Sequence, residues 1–253
     1  MRNHSAFYGR NYGSHRTLII QNVKHPKLEI RGKKMRNFLE KEIKLCLSAV
    51  NYLFLAFVAM IIIPNYPCYV PFFYLCLSIF FIFNNAELNK DIQYSMILPI
   101  TKKDMVKSRC ILVCVYEIAG ALFTIPFAIL IKKLVPQGNQ AGIDSNVAFY
   151  GFVLILLTIF NFIFFTNFYK KAEKPGRPFF KASVAFWVCY LIIEFPIWTK
   201  NIFNIGFFQF LDKIDFQSQI KQLPILCVGI LVFFGGWILT YKKSASLFEK
   251  VDL

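Results

Sequence analysis

Acidic residues are scarce in this chain: 14 Asp and Glu stand against 29 Lys and Arg in 253 residues. Charged residues of both signs reach only 17%, below the quarter or so found in soluble domains. The three histidines, His4, His15 and His25, all fall in the first 34 residues. A histidine metal site or proton relay within the apolar part is thereby excluded. No His-Glu-x-x-His run occurs, which removes that metalloprotease chemistry, and no Gly-x-x-x-x-Gly-Lys-(Ser/Thr) loop is present to cradle a nucleotide phosphate. The seven cysteines (46, 68, 76, 110, 114, 189 and 227) form no Cys-x-x-Cys pair and are odd in number. They lie in or beside apolar runs and read as small buried hydrophobes. No charged leader runs into a short apolar segment at the start, so no signal peptide is expected.

What is abundant is apolar surface: 57% hydrophobic residues, 18% aromatic, and a mean hydropathy of +0.50. Several apolar runs of about 18 or more residues predict an all-α polytopic membrane protein. Six spans are expected, near Leu45–Ile63, Cys68–Phe83, Cys110–Ile131, Val147–Phe168, Ala182–Trp198 and Leu223–Thr240. They form one membrane domain over residues 35–253, after a polar tail of residues 1–34. An upstream start, an added leader and a disordered tail are all compatible with that first segment.

Basic residues set the expected orientation. With the N-terminus inside, 24 of the 29 Lys and Arg become cytoplasmic, and 5 are left in the 132–146 and 199–222 loops. An N-in, C-in topology follows from that asymmetry. The same distribution excludes nucleic acid as a partner, because the cations flank spans instead of forming a basic domain interleaved with aromatics. The lipid bilayer and its anionic headgroups are their expected partner.

From Met35 to Lys44, Met35, Phe38, Leu39 and Ile43 share one helical face, while Arg36, Glu40, Lys41 and Lys44 occupy the other. Arg36–Glu40 and Glu40–Lys44 have the i,i+4 spacing that supports a helix. An amphipathic helix in the membrane interface is expected, with Phe38, Glu40 and Lys41 as its interfacial contacts. A plain extension of the first span is the competing reading.

The polar stretch Asn84–Arg109 connects spans 2 and 3. Pro99 biases Leu98 toward an extended conformation. Thr101 then caps a helix, with Asp104 three residues on closing a capping-box-like turn. A short helix from about Lys102 to Arg109 should run directly into span 3. Either this is a built elbow, or it is a solvated loop that caps the next span.

The run Leu98-Pro99-Ile100-Thr101-Lys102-Lys103-Asp104-Met105-Val106 resembles the signature loop of small ABC-2 type permeases, the membrane subunits of bacterial ABC exporters. Those carry Leu-Pro-(Ile/Val)-(Ser/Thr)-(Arg/Lys)-x-(Asp/Glu)-(Ile/Met)-Val between their second and third spans. The resemblance extends to the six-span layout from about Met35. It implies a bacterial plasma-membrane subunit, not itself an enzyme, working with two copies of a separate ATPase that binds the ATP and Mg. No cofactor is expected in this chain. It also implies that Thr101 to Arg109 is a coupling helix seated in the ATPase, with Pro99, Thr101, Lys102, Lys103, Asp104, Met105 and Arg109 as coupling residues and Met105 as an apolar knob. The permease pairs with an identical copy or a paralogue. The implied cargo is hydrophobic or amphipathic, such as an antimicrobial or toxin peptide.

Two acids, Glu117 and Glu194, fall inside apolar runs. A charge there costs roughly 2.5–3.5 kcal/mol on insertion scales, which makes both translocation candidates. A protonated carboxyl bonded to a neighbouring helix is the alternative for each. Gly120, Gly229, Gly235 and Gly236 predict close helix packing, or bending at Gly235-Gly236. In the 199–222 segment, Phe203, Ile205, Phe207, Phe208, Phe210, Leu211, Ile214 and Phe216 predict a re-entrant or interfacial hairpin. Two other functions compete with the permease. An ion-coupled secondary transporter would use Glu117 and Glu194, but the chain shows no clear inverted repeat. An intramembrane protease of the CAAX type would need intramembrane His and a Glu-Glu pair, both missing.

Overall fold

The computed structural model describes residues 39–97, 100–135, 138–139, 141–172, 174–203, 209–213 and 215–251. Among them every regular element is helical. The chain enters as α1 (Leu39–Cys46), which meets α2 (Ala49–Phe57) at a bend; α2 continues as a 3-10 turn, Val58–Ile62, and α1 lies at 87° to this pair. No proline or glycine makes the bend. At Leu47-Ser48 the backbone leaves the helix, and Asn51 Oδ1 accepts from the Ser48 N–H (2.9 Å) and the Ser48 hydroxyl (3.1 Å), capping α2. The break orphans the last carbonyls of α1, which would be costly in apolar surroundings. Asn89 Nδ2 donates to Leu45 O (2.8 Å) and Asn85 Nδ2 to Cys46 O (3.2 Å), so two side chains from the next helix hold the bend.

That next helix is α3 (Val70–Leu88), started by Pro71 in its first turn, where a missing N–H costs nothing. Lys90, with φ of 51°, breaks α3 from the short α4 (Asp91–Ile97). Then come α5 (Lys102–Leu134), α6 (Val147–Tyr169), α7 (Gly176–Phe203), the single turn α8 (Gln209–Asp212) and α9 (Phe216–Glu249). Thr101 caps α5: its Oγ1 accepts from the Asp104 N–H (3.1 Å) and donates to Asp104 Oδ2 (2.8 Å). Asn146 caps α6 and Asp215 caps α9 in the same manner. Hydrogen bonds from the Ser218 hydroxyl and N–H hold the Asp215 carboxyl below its ordinary range.

Among the described residues five helices (α3, α5, α6, α7 and α9) are long and apolar enough to cross a membrane, and six spans result if the bent α1–α2 pair counts as one. The expected first span, Leu45–Ile63, contains the bend near its start: α2 with its 3-10 turn rises roughly 23 Å toward a hydrocarbon core of about 30 Å, and α1 makes up the rest of the bent pair. The polar stretch from Asn84 is less of a loop than expected, since it carries the last turn of α3 and all of α4, whereas the helix expected over Lys102–Arg109 is present and runs directly into the span as the foot of the 33-residue α5. Of the expected 199–222 hairpin, α8 and the start of α9 are described, whereas Ile205, Phe207, Phe208 and Ile214 lie outside the described residues.

The core is aromatic. Phe83 meets Phe164, Phe165 and Phe168 with ring centroids 4.7–5.0 Å apart, all edge-on, joining α3 to α6. Such contacts add to plain burial. Backbone approaches backbone between α6 and α9: a Cβ on Gly229 would lie 2.5 Å from Gly151 O, and one on Gly151 2.7 Å from Ile225 O. Gly120 packs on Leu75 and Gly236 on Thr158, while Gly235 faces open space inside an unbroken helix. The packing role expected for Gly120, Gly229 and Gly236 is what the geometry shows, and Gly151 joins them.

Candidate functional site

One end of the bundle gathers α1, α4, the foot of α5 and the end of α9. At its centre sits Arg109, 4% exposed. Its Nε donates to Glu42 Oε2 (2.5 Å) and its Nη2 to Asp91 Oδ2 (2.7 Å), while its guanidinium lies 5.1 Å from the Phe83 ring. Lys41 Nζ reaches Asp91 Oδ1 (2.6 Å) and donates to the Ser95 hydroxyl. The Ser108 hydroxyl lies 3.3 Å from Glu42 Oε1, and the Cys46 thiol 3.5 Å from Glu42 Oε2. Two cations thus face two carboxylates, and three helices separated in sequence (α1, α4 and α5) meet through them.

Arg109 can do this because its fork presents N–H groups in two directions, which one ammonium cannot do with the same geometry. Burying the charges carries a desolvation cost that their pairing offsets, and loss of one partner would expose that cost in full. Glu42, Cys46 and Asp91 have ligand atoms within 4.8 Å of one another, but the guanidinium already takes both carboxylates, so the arrangement is a salt-bridge cluster and not a metal centre. A cleft of about 130 Å³ opens beside it, walled by Glu42, Asp91, Gln93, Met105, Arg109 and Tyr169 among others.

The expected coupling residues separate into two sets. Arg109 and Met105 (6% exposed) turn inward, so the apolar knob expected at Met105 packs in the core instead of facing outward. Thr101 and Lys103 are exposed; Lys103 pairs with Glu249 (3.0 Å), and Lys102 donates to Val251 O (2.6 Å), tying the foot of α5 to the end of α9. Asp104 is spent on the cap. Pro99 and Phe38 lie outside the described residues. Glu40 is exposed on α1, but Lys41, expected on the polar outer face, is drawn into the cluster. The outward apolar residues at this end include Tyr94 (52%), Met96 (44%) and Ile97 (84%) of α4, with Leu88 at the end of α3, Ile43 of α1 and Phe180 of α7.

Sequence reasoning missed Glu42, Asp91 and Ser108. The signal was there for Glu42 and Arg109. At i±3 and i±4, Glu42 has Phe38, Leu39, Leu45 and Cys46, and Arg109 has Met105, Val106, Leu112 and Val113. A charge on an apolar helical face needs a partner from another element, and these two find each other.

Glu117 and Glu194 do not meet. Glu117, fully buried, accepts from Asn161 Nδ2 with both oxygens (2.8 and 2.9 Å), linking α5 to α6. The Trp237 indole of α9 lies beside the carboxylate, yet its Nε1 and Asn161 Oδ1 have no hydrogen-bond partner among the described residues. Glu194 sits at the other end of the bundle, where both oxygens accept from the Ile143 N–H at 3.2 Å. A Cβ on Gly142 would come within 2.6 Å of Glu194 Oε1, so this loop approaches the carboxylate only because that position is glycine.

No protein of curated function and no solved structure matches the chain. The sequence model described as "ABC-2 family transporter protein" matches residues 37–249, which takes in the Arg109 cluster, α4 and every long helix. The chain is a multi-pass membrane protein and belongs to the ABC-2 family of transporter proteins.

Proposed function

We propose that the chain is the permease subunit of an ATP-driven exporter, and that the α4–α5 elbow converts work done by a separate ATPase into movement of the helices. The observation that carries this reading is the Arg109 cluster, which locks α1, α4 and the foot of α5 into one body. A 33-residue helix is roughly 50 Å long, well beyond a hydrocarbon core of about 30 Å. Force applied at its capped foot therefore reaches the middle of the bundle without crossing a loop. Tyr94, Met96 and Ile97, with exposed Lys103 and Lys107 alongside, are the docking surface in this reading. The elbow and both termini face the cytoplasm, as the basic residues favour. Two ATPase subunits serve a pair of permeases, identical or paralogous, and the cargo is a hydrophobic or amphipathic peptide.

Co-purification of an ATPase subunit with the full chain, together with peptide efflux at matched membrane abundance, tests the reading. Loss of both on replacing Ile97 by Glu is expected. Wild-type efflux and wild-type ATPase recovery from that variant would refute the assigned docking surface.

A further inference from the structure

At the same end of the bundle, but around the α6–α7 connection, an open cleft of about 990 Å³ is walled by Lys170, Lys171, Lys174, Arg177 and Lys181, with Asn167 and Glu87. Five cations face one carboxylate of the cleft wall, and Glu173 is the only acid in the connecting segment. None of the five forms an ion pair among the described residues; Lys181 alone has a polar contact, 3.4 Å to Asn167 Oδ1. The contrast with Lys41, Lys103 and Arg109 is plain, since each of those already has its carboxylate. Cations without a carboxylate partner among the described residues, gathered around one cleft, call for an anion.

The helix that carries two of them says which kind. Arg177 and Lys181 are followed at alternating four- and three-residue steps by Val184, Val188, Leu191 and Phe195, so all six share one face of α7. Val184 (48%), Val188 (49%), Leu191 (49%) and Phe195 (64%) are exposed along it. Phe179 fixes this rotation by packing on Phe80 and Phe160 (5.0 and 6.0 Å) within the core. From Val184 to Phe195 the apolar part runs roughly 16 Å, close to the thickness of one leaflet of a hydrocarbon core of about 30 Å. A cationic head region continues directly into an apolar track one acyl chain long. Neither a free anion nor an acidic protein surface needs the second part.

We propose that this cleft and the α7 track together bind one anionic phospholipid, its phosphate among Lys170, Lys171, Lys174, Arg177 and Lys181 and its acyl chain along Val184, Val188, Leu191 and Phe195. Basic pockets at membrane surfaces select anionic headgroups in this way. The cleft reaches Gln93 of α4, but its cations lie on the α6–α7 connection and on α7, so the proposal stands whether or not the permease reading does.

Full-length protein in a neutral detergent is titrated with dioleoylphosphatidylglycerol or dioleoylphosphatidylcholine, and bound lipid is counted by native mass spectrometry. One phosphatidylglycerol per chain is expected, with at least tenfold preference over phosphatidylcholine. R177Q/K181Q should lower that affinity roughly tenfold or more, as should V188D, while K242Q/K250Q, with equal charge loss at the same end, should not. Equal loss in the K242Q/K250Q control would reduce the effect to diffuse surface charge and overturn the proposal. So would competition by soluble glycerol 3-phosphate at the concentration of the lipid, which would make this an anion site. Unchanged lipid binding in R177Q/K181Q with loss of ATPase recovery would overturn it too, and assign the cations to a protein partner.

Discussion

Glu42 and Arg109, 67 residues apart, meet at 2.5 Å in a buried contact that also draws in Asp91. Replacing Arg109 by Ala leaves two buried carboxylates with Lys41 as their one remaining cation, at a cost of about 3–5 kcal/mol. Arg109→Lys should recover part of that, since an ammonium reaches one carboxylate but not both in the same geometry. The triple variant Glu42→Gln, Asp91→Asn, Arg109→Gln, which leaves Lys41 as the one charge of the cluster, should be more stable than Arg109→Ala alone. Thermal unfolding in detergent gives the order; a triple variant no better than Arg109→Ala would mean that packing, and not charge, dominates here.

The α6–α9 contact rests on absent side chains. A Cβ on Gly229 would lie 2.5 Å from Gly151 O, and helix backbones cannot step aside as side chains do. Gly229→Ala should therefore lower the melting temperature markedly. Gly235→Ala, with nothing within 4 Å, should be neutral or gain up to about 1 kcal/mol from helix propensity. Equal melting temperatures for the two variants would contradict this packing.

How much of this was legible depended on whether the signal was local. The long helices were, because each is an uninterrupted apolar run, and so was the α5 cap, because Thr101 and Asp104 are three residues apart. The α1–α2 bend was legible in part, as an amphipathic helix ahead of the first span, but not what holds it. What holds it is Asn85 on α3 and Asn89 at the C-cap of α3, some 40 residues downstream, taking carbonyls that a straight helix would have kept. The seven residues of α4 were hidden for a related reason: Asp91 and Ser95 face the cluster while Tyr94 and Ile97 face out, a pattern too short to show a period. The burial of Met105 was hidden because an apolar residue beside lysines looks exposed until Arg109, one turn on, is seen to turn inward with it.

Glu117 offers a direct separation of structural and translocation roles. A glutamine there can still pair with the Asn161 amide, whereas Glu117→Leu strands that amide at a cost of about 1–3 kcal/mol. Glu117→Gln should keep both melting temperature and efflux, and Glu117→Leu should lose stability. Efflux abolished in a stable Glu117→Gln protein would instead make the charge itself part of transport.

At the far end, Glu194 holds the 141–146 loop through the Ile143 N–H. Glu194→Ala removes that acceptor, while Glu194→Gln keeps a carbonyl in its place. Hydrogen exchange at Ile143 should rise at least tenfold in the alanine variant and much less in the glutamine variant, since a lost buried hydrogen bond frees about 1 kcal/mol or more. Equal exchange in both would show that the loop is held by its other contacts, such as Asn146 to Leu211 O at 2.7 Å.

The sharpest test concerns which apolar residue meets the partner. Ile97 is 84% exposed on α4 and Met105 is 6% exposed one turn into α5, so a glutamate at each position tells docking from folding. Ile97→Glu changes a surface and should leave the stability within about 0.5 kcal/mol of wild type, while ATPase recovery falls. Met105→Glu buries a carboxylate next to Glu42 and Asp91 and should lower the melting temperature before any effect on the partner can be read. Thr101→Ala, which costs about 1 kcal/mol by removing the cap, belongs between them, loosening the foot of α5 without touching the surface. Stability and ATPase recovery are measured on the same preparations. A stable Met105→Glu protein that no longer recovers the ATPase would return the docking surface to the foot of α5 and take it away from α4.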